Sequence, residues 1–345
     1  MIPTIRWEND SIFLIDQRKL PYQREWLVCR TIEEVIGAIK GMAIRGAPAI
    51  GVAAAMGLAL GSQSIQEEKY TTFRDRFTKL ARDMEEARPT AVNLKWAVDR
   101  MRNLVERMED NTGGEIRKAL RSESQSILDE DIAINRNIGQ NGLELIPDKA
   151  TILTHCNAGA LATGGYGTAL GVIRAAHEAR KDIHVIVDET RPLLQGLRLT
   201  AFELMEDHIP ATVIVDSAAG YLMRKKVIDL VITGADRITS NGDMANKIGT
   251  YHLAVIAKEN HIPFYVAAPL STFDTSLKSG DQIPIEERDP HEVVSFAGHL
   301  IGPEGVNAFN PAFDITPANY ISAIITEKGV ITSPYSNSIK QVMTR

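Results

Sequence analysis

The sequence predicts a two-part α/β protein, and three observations carry that prediction. Its 345 residues are more than twice the ~150 expected of one domain. Its first part reads mainly as helices after two short strands. Its second part alternates short apolar runs with helix-like stretches, the pattern of a parallel sheet covered on both faces. The boundary is expected between 120 and 150, in or after a long helix. With 44% apolar and 24% charged residues, the chain has material for a real core without disulfide or metal staples.

In chain order, Ser11 to Ile15 and Glu25 to Cys29 read as short strands separated by Pro21. Thr31 and Glu34 make a T-x-x-E capping box for a helix reaching about Lys40. Pro48 suits the first turn of the Ala- and Gly-rich helix that follows. Residues 71–87 and 91–109 have helical apolar spacing, interrupted by Arg88-Pro89-Thr90, and a long helical pattern runs from Glu115 to Gly142. Beyond Pro147 come the apolar runs TILTHC (151–156), IHVIVDE (183–189), ATVIVD (211–216), LVITGAD (230–236) and PFYVAA (263–268). A helix is expected from about Thr163 to Arg180. The proline-containing last 70 residues read as ordered loops closed by a last strand, ISAIIT (321–326), with EERD (286–289) as solvated surface.

Thirty-eight basic against 44 acidic residues give a net charge of −6. That excludes a chain-wide basic field for nucleic acid and leaves a local patch open. Two cysteines, Cys29 and Cys156, cannot build a disulfide framework and fit a reducing compartment. The opening MIPTIRWENDSIFLIDQ lacks a basic segment followed by an apolar run, so no signal peptide is expected. The stretch Gly46 to Gly61 is shorter than the ~20 residues a bilayer needs and reads as a buried, closely packed helix. The expected setting is cytoplasmic, without a membrane partner.

Ligands of an open α/β sheet bind beyond the carboxyl ends of its strands. That rule selects His155-Cys156-Asn157-Ala158-Gly159, Asp188-Glu189-Thr190-Arg191, Asp216-Ser217 and Gly234-Ala235-Asp236-Arg237. The glycines of CNAGALATGGYGTALG (156–171) either cradle a phosphate or permit tight backbone packing. They fit neither a P-loop, since Gly165 follows Gly159-x4-Gly164, nor a dinucleotide fingerprint, since position 170 is leucine. Cys156 near a helix start is either an activated thiol or a small buried apolar group, whereas Cys29 reads as core. Neighbours along a strand face opposite ways, so a Cys156–His155 dyad is not expected and His155 packs or hydrogen-bonds behind the site. Asp236 is either a proton-transfer or ligand group or a turn cap, with Asp188 and Asp216 competing for the same role. Arg45, Arg88 and Lys247, set beside Gly, Pro or Asn, are either phosphate-binding cations or surface charges. No histidine or cysteine spacing indicates a metal, and no G-x-S-x-G elbow occurs.

Eight strings then recur in order: RGAPAIG (45–51), ARPTAVNL (87–94), THCNAGALAT (154–163), DETRPLLQGLRLTAFEL (188–204), GADRI (234–238), NGDMANKIGTY (241–251), PFYVAAPLSTFD (263–274) and FNPAFDITP (309–317). Over nearly its whole length the chain resembles the methylthioribose-1-phosphate isomerases. That family stands with the regulatory subunits of translation initiation factor 2B and the archaeal ribose-1,5-bisphosphate isomerases. The resemblance implies a helical N-terminal domain with a small β-sheet (1–125), a Rossmann-like C-terminal domain with a parallel sheet (126–345) and a homodimer. It implies aldose–ketose isomerisation of a phosphorylated pentose without cofactor or metal, with Cys156 and Asp236 as the catalytic pair. It implies substrate contacts from Arg45, Gly46, Ala47, Arg88, Gln195, Asn246 and Lys247. The one departure is Ala87, where a serine is common. Recognition of a 5-methylthio from a 5-deoxy sugar is worth only a few kcal/mol in an apolar pocket, so 5-deoxyribose 1-phosphate stays an alternative substrate. A regulatory role like that of the initiation-factor subunits is the alternative of another class.

Overall fold

A computed structural model of the chain describes residues 3–296 and 298–344. It forms two compact units, Met1–Arg136 with Ala158–Gly167, and Asn137–Asn157 with Thr168–Arg345.

In the first unit, β1 (Ile5–Glu8), β2 (Ser11–Ile15) and β3 (Trp26–Cys29) form an antiparallel sheet. Helices α1 (Ile32–Lys40), α2 (Ala47–Ser62), α3 (Tyr70–Glu85) and α4 (Val92–Glu106) follow, then α5 (Gly113–Gly142), inside which the division between units falls. The Thr31–Glu34 capping box forms as expected. Every residue of α2 from Ala49 to Ser62 is buried, because Ala and Gly let its neighbours approach on all sides. A Cβ on Gly51 would lie 2.8 Å from the Asn93 carbonyl oxygen of α4. Among the described residues no helix is long and apolar enough to cross a membrane.

The second unit is built on β4 (Lys149–Thr154), α6 (Ala169–Glu178), β5 (Asp182–Asp188), α7 (Ala201–Glu206), β6 (Ala211–Ile214), α8 (Ala219–Arg224) and β7 (Leu230–Thr233). It continues through β8 (Arg237–Thr239), β9 (Met244–Lys247), α9 (Thr250–Glu259), β10 (Phe264–Ala267) and β11 (Phe273–Asp274). Then come α10 (His291–Val294), β12 (Ser295–Phe296), β13 (His299–Leu300), β14 (Phe313–Thr316), β15 (Ala323–Thr326), β16 (Gly329–Ile331) and α11 (Tyr335–Met343). A seven-stranded sheet runs β6-β5-β4-β7-β10-β15-β16. All its pairings are parallel except β15–β16. Counted along the chain, the parallel strands stand in the order 3-2-1-4-5-6 of a doubly wound sheet. The chain winds one way from β4 and the other way from β7, so the crevice lies beyond their carboxyl ends.

Four expectations are corrected. The strand at TILTHC stops at Thr154, so His155 and Cys156 are loop residues. The helix expected from Thr163 begins at Ala169, after a 3-10 turn at Ala160–Ala162, because Tyr166 (φ 70°) and Gly167 (φ 86°) are left-handed. β15 is not the last strand, since β16 turns back on it. The segment 286–289 is not wholly solvated: Glu287 and Asp289 are exposed, whereas Glu286 and Arg288 are half-buried. A second sheet, β11-β8-β9-β14, was not expected at all. Its strands are short and partly polar, and it fixes Lys247 at the end of β9 opposite Phe313.

Two glycines test this packing. Gly37 in α1 has open space where a Cβ would stand, whereas a Cβ on left-handed Gly167 would meet the Gly159 backbone at 2.5 Å. Gly37→Ala is expected to stabilise the protein by about 0.5–1 kcal/mol. Gly167→Ala is expected to destabilise it by at least about 1–3 kcal/mol. Urea unfolding midpoints check both, and equal responses would contradict the packing.

Candidate active site

Cys156 and Asp236 follow the two strands that flank the switch point, β4 and β7. Cys156 is partly exposed and left-handed, with φ 60°. A non-glycine residue there costs about 1–3 kcal/mol and needs support. Two buried threonines supply it. The Cys156 N–H donates to Thr190 Oγ1 at 2.8 Å, and the Thr200 hydroxyl donates to the Cys156 carbonyl at 2.6 Å. Behind them, Asn157 Nδ2 donates to Thr200 Oγ1 (3.1 Å) and to Glu203 Oε1 (2.9 Å). Glu203 in turn accepts from buried Arg174 on α6, which also bonds Asp207. Thr190, Thr200, Asn157, Glu203 and Arg174 are thus hydrogen-bonded around the Cys156 peptide, so the loop is held as one piece.

His155 is buried with both ring nitrogens engaged. Nε2 lies 2.9 Å from the Ile248 carbonyl and Nδ1 3.0 Å from Asp188 Oδ2. A carbonyl only accepts, so Nε2 carries a proton, and a further proton is shared between Nδ1 and Asp188. Burial alone would push the imidazole down. The Asp188 carboxylate and the Ile248 carbonyl outweigh it and hold the ring above the ordinary histidine range. Burial likewise raises the Asp188 carboxyl, with His155 acting against it. No Cys156–His155 dyad forms, and His155 bonds behind the site as expected. The other two strand-end carboxylates have protein partners: Asp188 holds His155, and Asp216 accepts the N–H groups of Thr190 and Arg191 at 2.7 and 2.8 Å.

Lys247 is buried at the end of β9. Its ammonium donates to the Ala312 carbonyl at 2.8 Å and stands 4.9 Å from the centre of the Phe313 ring. Burial pulls its pKa down, while the charges of Cys156 and Asp236 act to hold its proton on. Cys156, Asp236 and Lys247 are therefore within one electrostatic environment. Asp236 is half-buried, and its N–H donates to the Ala245 carbonyl, which ties it to β9. Asn246 is buried and donates from Nδ2 to Thr250 Oγ1 at the start of α9. Gln195 is 5% exposed, in the turn after β5, and its Oε1 has no hydrogen-bond partner among the described residues. A buried amide oxygen without a partner is costly unless a ligand hydroxyl supplies one.

The other expected contacts lie in the first unit. Arg45 is half-buried and donates from Nε to Gln17 Oε1 at 3.1 Å. Gly46 (φ 95°) leads into α2, and a Cβ there would meet the Ala162 Cα at 2.5 Å. Ala47 begins the helix, and half-buried Arg88 stands between α3 and α4. In the glycine-rich segment, Gly159 and Gly167 make a close backbone approach, and the Gly164 N–H donates to Asp131. Those glycines serve packing. Sequence reasoning selected the segment holding Thr190 without giving that side chain a role, and it missed Thr200 and Glu203, whose side chains matter only once distant loops meet. It also saw no metal spacing, yet His155, Asp188 and Asp216 place ligand-type atoms within 4.8 Å of one another. Their hydrogen bonds to Ile248, Thr190 and Arg191 already give His155 and Asp216 protein partners.

Residues 43–333 match the model of the Initiation factor 2 subunit family. The methylthioribose-1-phosphate isomerase of Geotalea daltonii is 56% identical over 99% of this chain and 98% of its own length. The same enzyme of Desulforamulus reducens is 52% identical over 98% of each. Among solved structures, 5-methylthioribose 1-phosphate isomerase from Pyrococcus horikoshii aligns with a TM-score of 0.93 at 44% identity, over 100% of this chain and 96% of that one. A protein described as translation initiation factor eIF-2B, subunit delta, from A. fulgidus aligns with a TM-score of 0.88 at 43% identity, over 100% of both chains.

The His155–Asp188 pair makes stability depend on pH in one direction. A histidine whose folded pKa lies above its unfolded value of 6.5 stabilises fully below that value and loses the effect as pH rises through the folded one. Asp188→Asn offers Nδ1 an amide donor and removes the charge that holds the extra proton. Urea unfolding of wild type is expected to weaken as pH rises above 6.5, and in Asp188→Asn that slope is expected to flatten. An unchanged slope would assign the pH dependence to other groups.

Proposed function

The chain belongs to the Initiation factor 2 subunit family, and from that premise we propose that it isomerises 5-methylthioribose 1-phosphate to 5-methylthioribulose 1-phosphate in methionine salvage. One observation supports the reading beyond the likeness to relatives: Cys156 and Asp236 follow the strands at the switch point, and buried Lys247 ends β9, the strand whose Ala245 carbonyl accepts the Asp236 N–H. The chemistry needs an acid, a base and a fixed cation, without an external oxidant or reductant.

The anomeric oxygen of the substrate carries phosphate, so the ring cannot open as a free hemiacetal. In the proposed course Asp236 protonates the ring oxygen as its bond to C1 breaks. Cys156 takes the proton from C2, and the electron pair of that C–H bond forms the C1–C2 double bond of an enol phosphate. The enol then loses its O2 proton and gains one at C1, giving the 2-ketose with the phosphate still on C1. A hydride shift from C2 to C1 is the alternative and uses the same acid. Positioned acids and bases contribute ~10²–10⁴-fold each. Lys247, with Arg45 and Arg88, is assigned to the phosphate, together with backbone contacts at Gly46 and Ala47. Gln195 and Asn246 are assigned to the sugar hydroxyls. The acting form is proposed to be a cytoplasmic homodimer.

Cys156→Ser and Asp236→Asn are each expected to lower kcat by more than about 10²-fold while circular dichroism and thermal melting stay as in wild type. Near-normal turnover in either would overturn its role. A cofactor-free NMR assay with 5-methylthioribose 1-phosphate beside 5-deoxyribose 1-phosphate is expected to give much higher kcat/KM on the first. Preference for the second would move the assignment to deoxyribose salvage. A regulatory reading draws only on the likeness to the A. fulgidus protein. Turnover of neither sugar, with stable co-purification of a GTP-binding translation factor, would establish it.

A further inference from the structure

The segment 286–292 carries half-buried charge that neither the sequence nor the catalytic pair accounts for. Its backbone lies beside residues 310–312. The Ala312 N–H donates to the Glu286 carbonyl (2.8 Å), the Arg288 N–H donates to the Asn310 carbonyl (2.9 Å), and Glu287 bridges to Pro311. In this extended stretch Glu286 and Arg288 share the inner face, while Glu287 between them is exposed. The Arg288 side chain is only 18% exposed. Its Nε lies 3.0 and 3.1 Å from the two carboxylate oxygens of Glu292, its Nη2 also bonds Glu292, and its Nη1 is 3.8 Å from Glu286. Glu292 is fixed in turn by Asn310 Nδ2 at 3.0 Å.

The same Ala312 that joins this segment also meets Lys247. Its carbonyl accepts both the Lys247 ammonium and the Ile248 N–H, while its own N–H holds Glu286. One peptide thus couples the charged segment to the end of β9. The coupling is electrostatic too: Arg288 and Glu286 both act on Lys247, in opposite senses, and Lys247 acts on Glu292. We propose that Glu286, Arg288 and Glu292 form a wall of the Lys247 site and are positioning residues that set the charge Lys247 presents to the substrate. An ordinary surface ion pair would contribute little. Here the half-buried Arg288 is held by two carboxylates on a segment that the Ala312 peptide joins to Lys247.

The inference rests on the assigned role of Lys247, but its test does not require turnover. The charged groups acting on Lys247 are Cys156 and Asp236 at the sheet ends, Asp314 on β14, and Glu286, Arg288 and Glu292. Arg288→Met removes a neighbouring positive charge, so Lys247 should hold its proton to higher pH. Glu286→Gln removes a negative charge, so Lys247 should release its proton at lower pH. The Lys247 13Cε resonance, assigned by its loss in Lys247→Arg, is titrated in folded wild type and both variants. The expected shifts are on the order of one pH unit and opposite in sign. The alkaline limb of kcat/KM should follow the same order. Unmoved titrations, or shifts of one sign in both variants, would overturn the proposal, because a purely structural lesion has no reason to distinguish the two charges. Opposite NMR shifts with an unmoved kinetic limb would keep the wall and overturn the part assigned to Lys247 in turnover. If Arg288→Met does not fold, Arg288→Gln replaces it, with the same expected direction.

Discussion

The second unit depends on one buried imidazole. His155 follows β4 and ties together three loops that are remote in sequence. Through Nδ1 it holds Asp188 at the end of β5, and through Nε2 the Ile248 carbonyl just beyond Lys247. Gly249 lies against the ring so closely that a Cβ there would stand 3.0 Å from it. The residue after His155 is Cys156, and two after Asp188 comes Thr190, which takes the Cys156 N–H. A hydrogen-bonded buried group is expensive to disturb because each lost partner leaves an unsatisfied polar atom. That expense keeps a left-handed cysteine and a buried lysine in register with each other.

The layers beneath this hub differ in what they do. The Arg174–Glu203–Asp207 cluster is an ion network of the kind that apolar packing of equal volume often matches in stability; its use is directional. Glu203 fixes Asn157, Asn157 and the Cys156 carbonyl share Thr200, and the strained peptide has no alternative arrangement. Strain of this sort persists only where the surroundings over-determine it.

Much of this was legible in the sequence, and the division between what was and was not is physical. The apolar runs of the parallel sheet stand out because strands buried on both faces have little room for polar residues. The capping box at Thr31 and Glu34 is local, so spacing alone reveals it. The strand-end rule selected four segments, two of which hold Cys156 and Asp236, and only the family resemblance singled out that pair. What stayed hidden depends on distant partners. Thr190 and Thr200 are ordinary residues until the Cys156 peptide lies against them. The β8–β9–β14 strands are too short and polar to show a period, although they carry Asn246 and Lys247. EERD reads as surface by composition. Only the alternation of Glu286, Glu287 and Arg288 across a strand-like stretch separates inner from outer charges.

The strand order explains why so different a set of activities is written on related chains. A 3-2-1-4-5-6 sheet always opens a crevice where its windings diverge, whatever fills it. In dinucleotide-binding sheets a glycine fingerprint occupies the first turn. Here the corresponding glycines lie against one another, Gly159 against Gly167, and their conformational freedom serves backbone packing. The crevice is therefore defined by side chains: a thiol after one strand, a carboxylate after its neighbour, and a buried ammonium on an added sheet. The fold supplies the location, and the function proposed for the chain rests on those groups. A relative that kept the sheet and lost the thiol or the carboxylate would retain the crevice without the acid–base pair proposed for this chain.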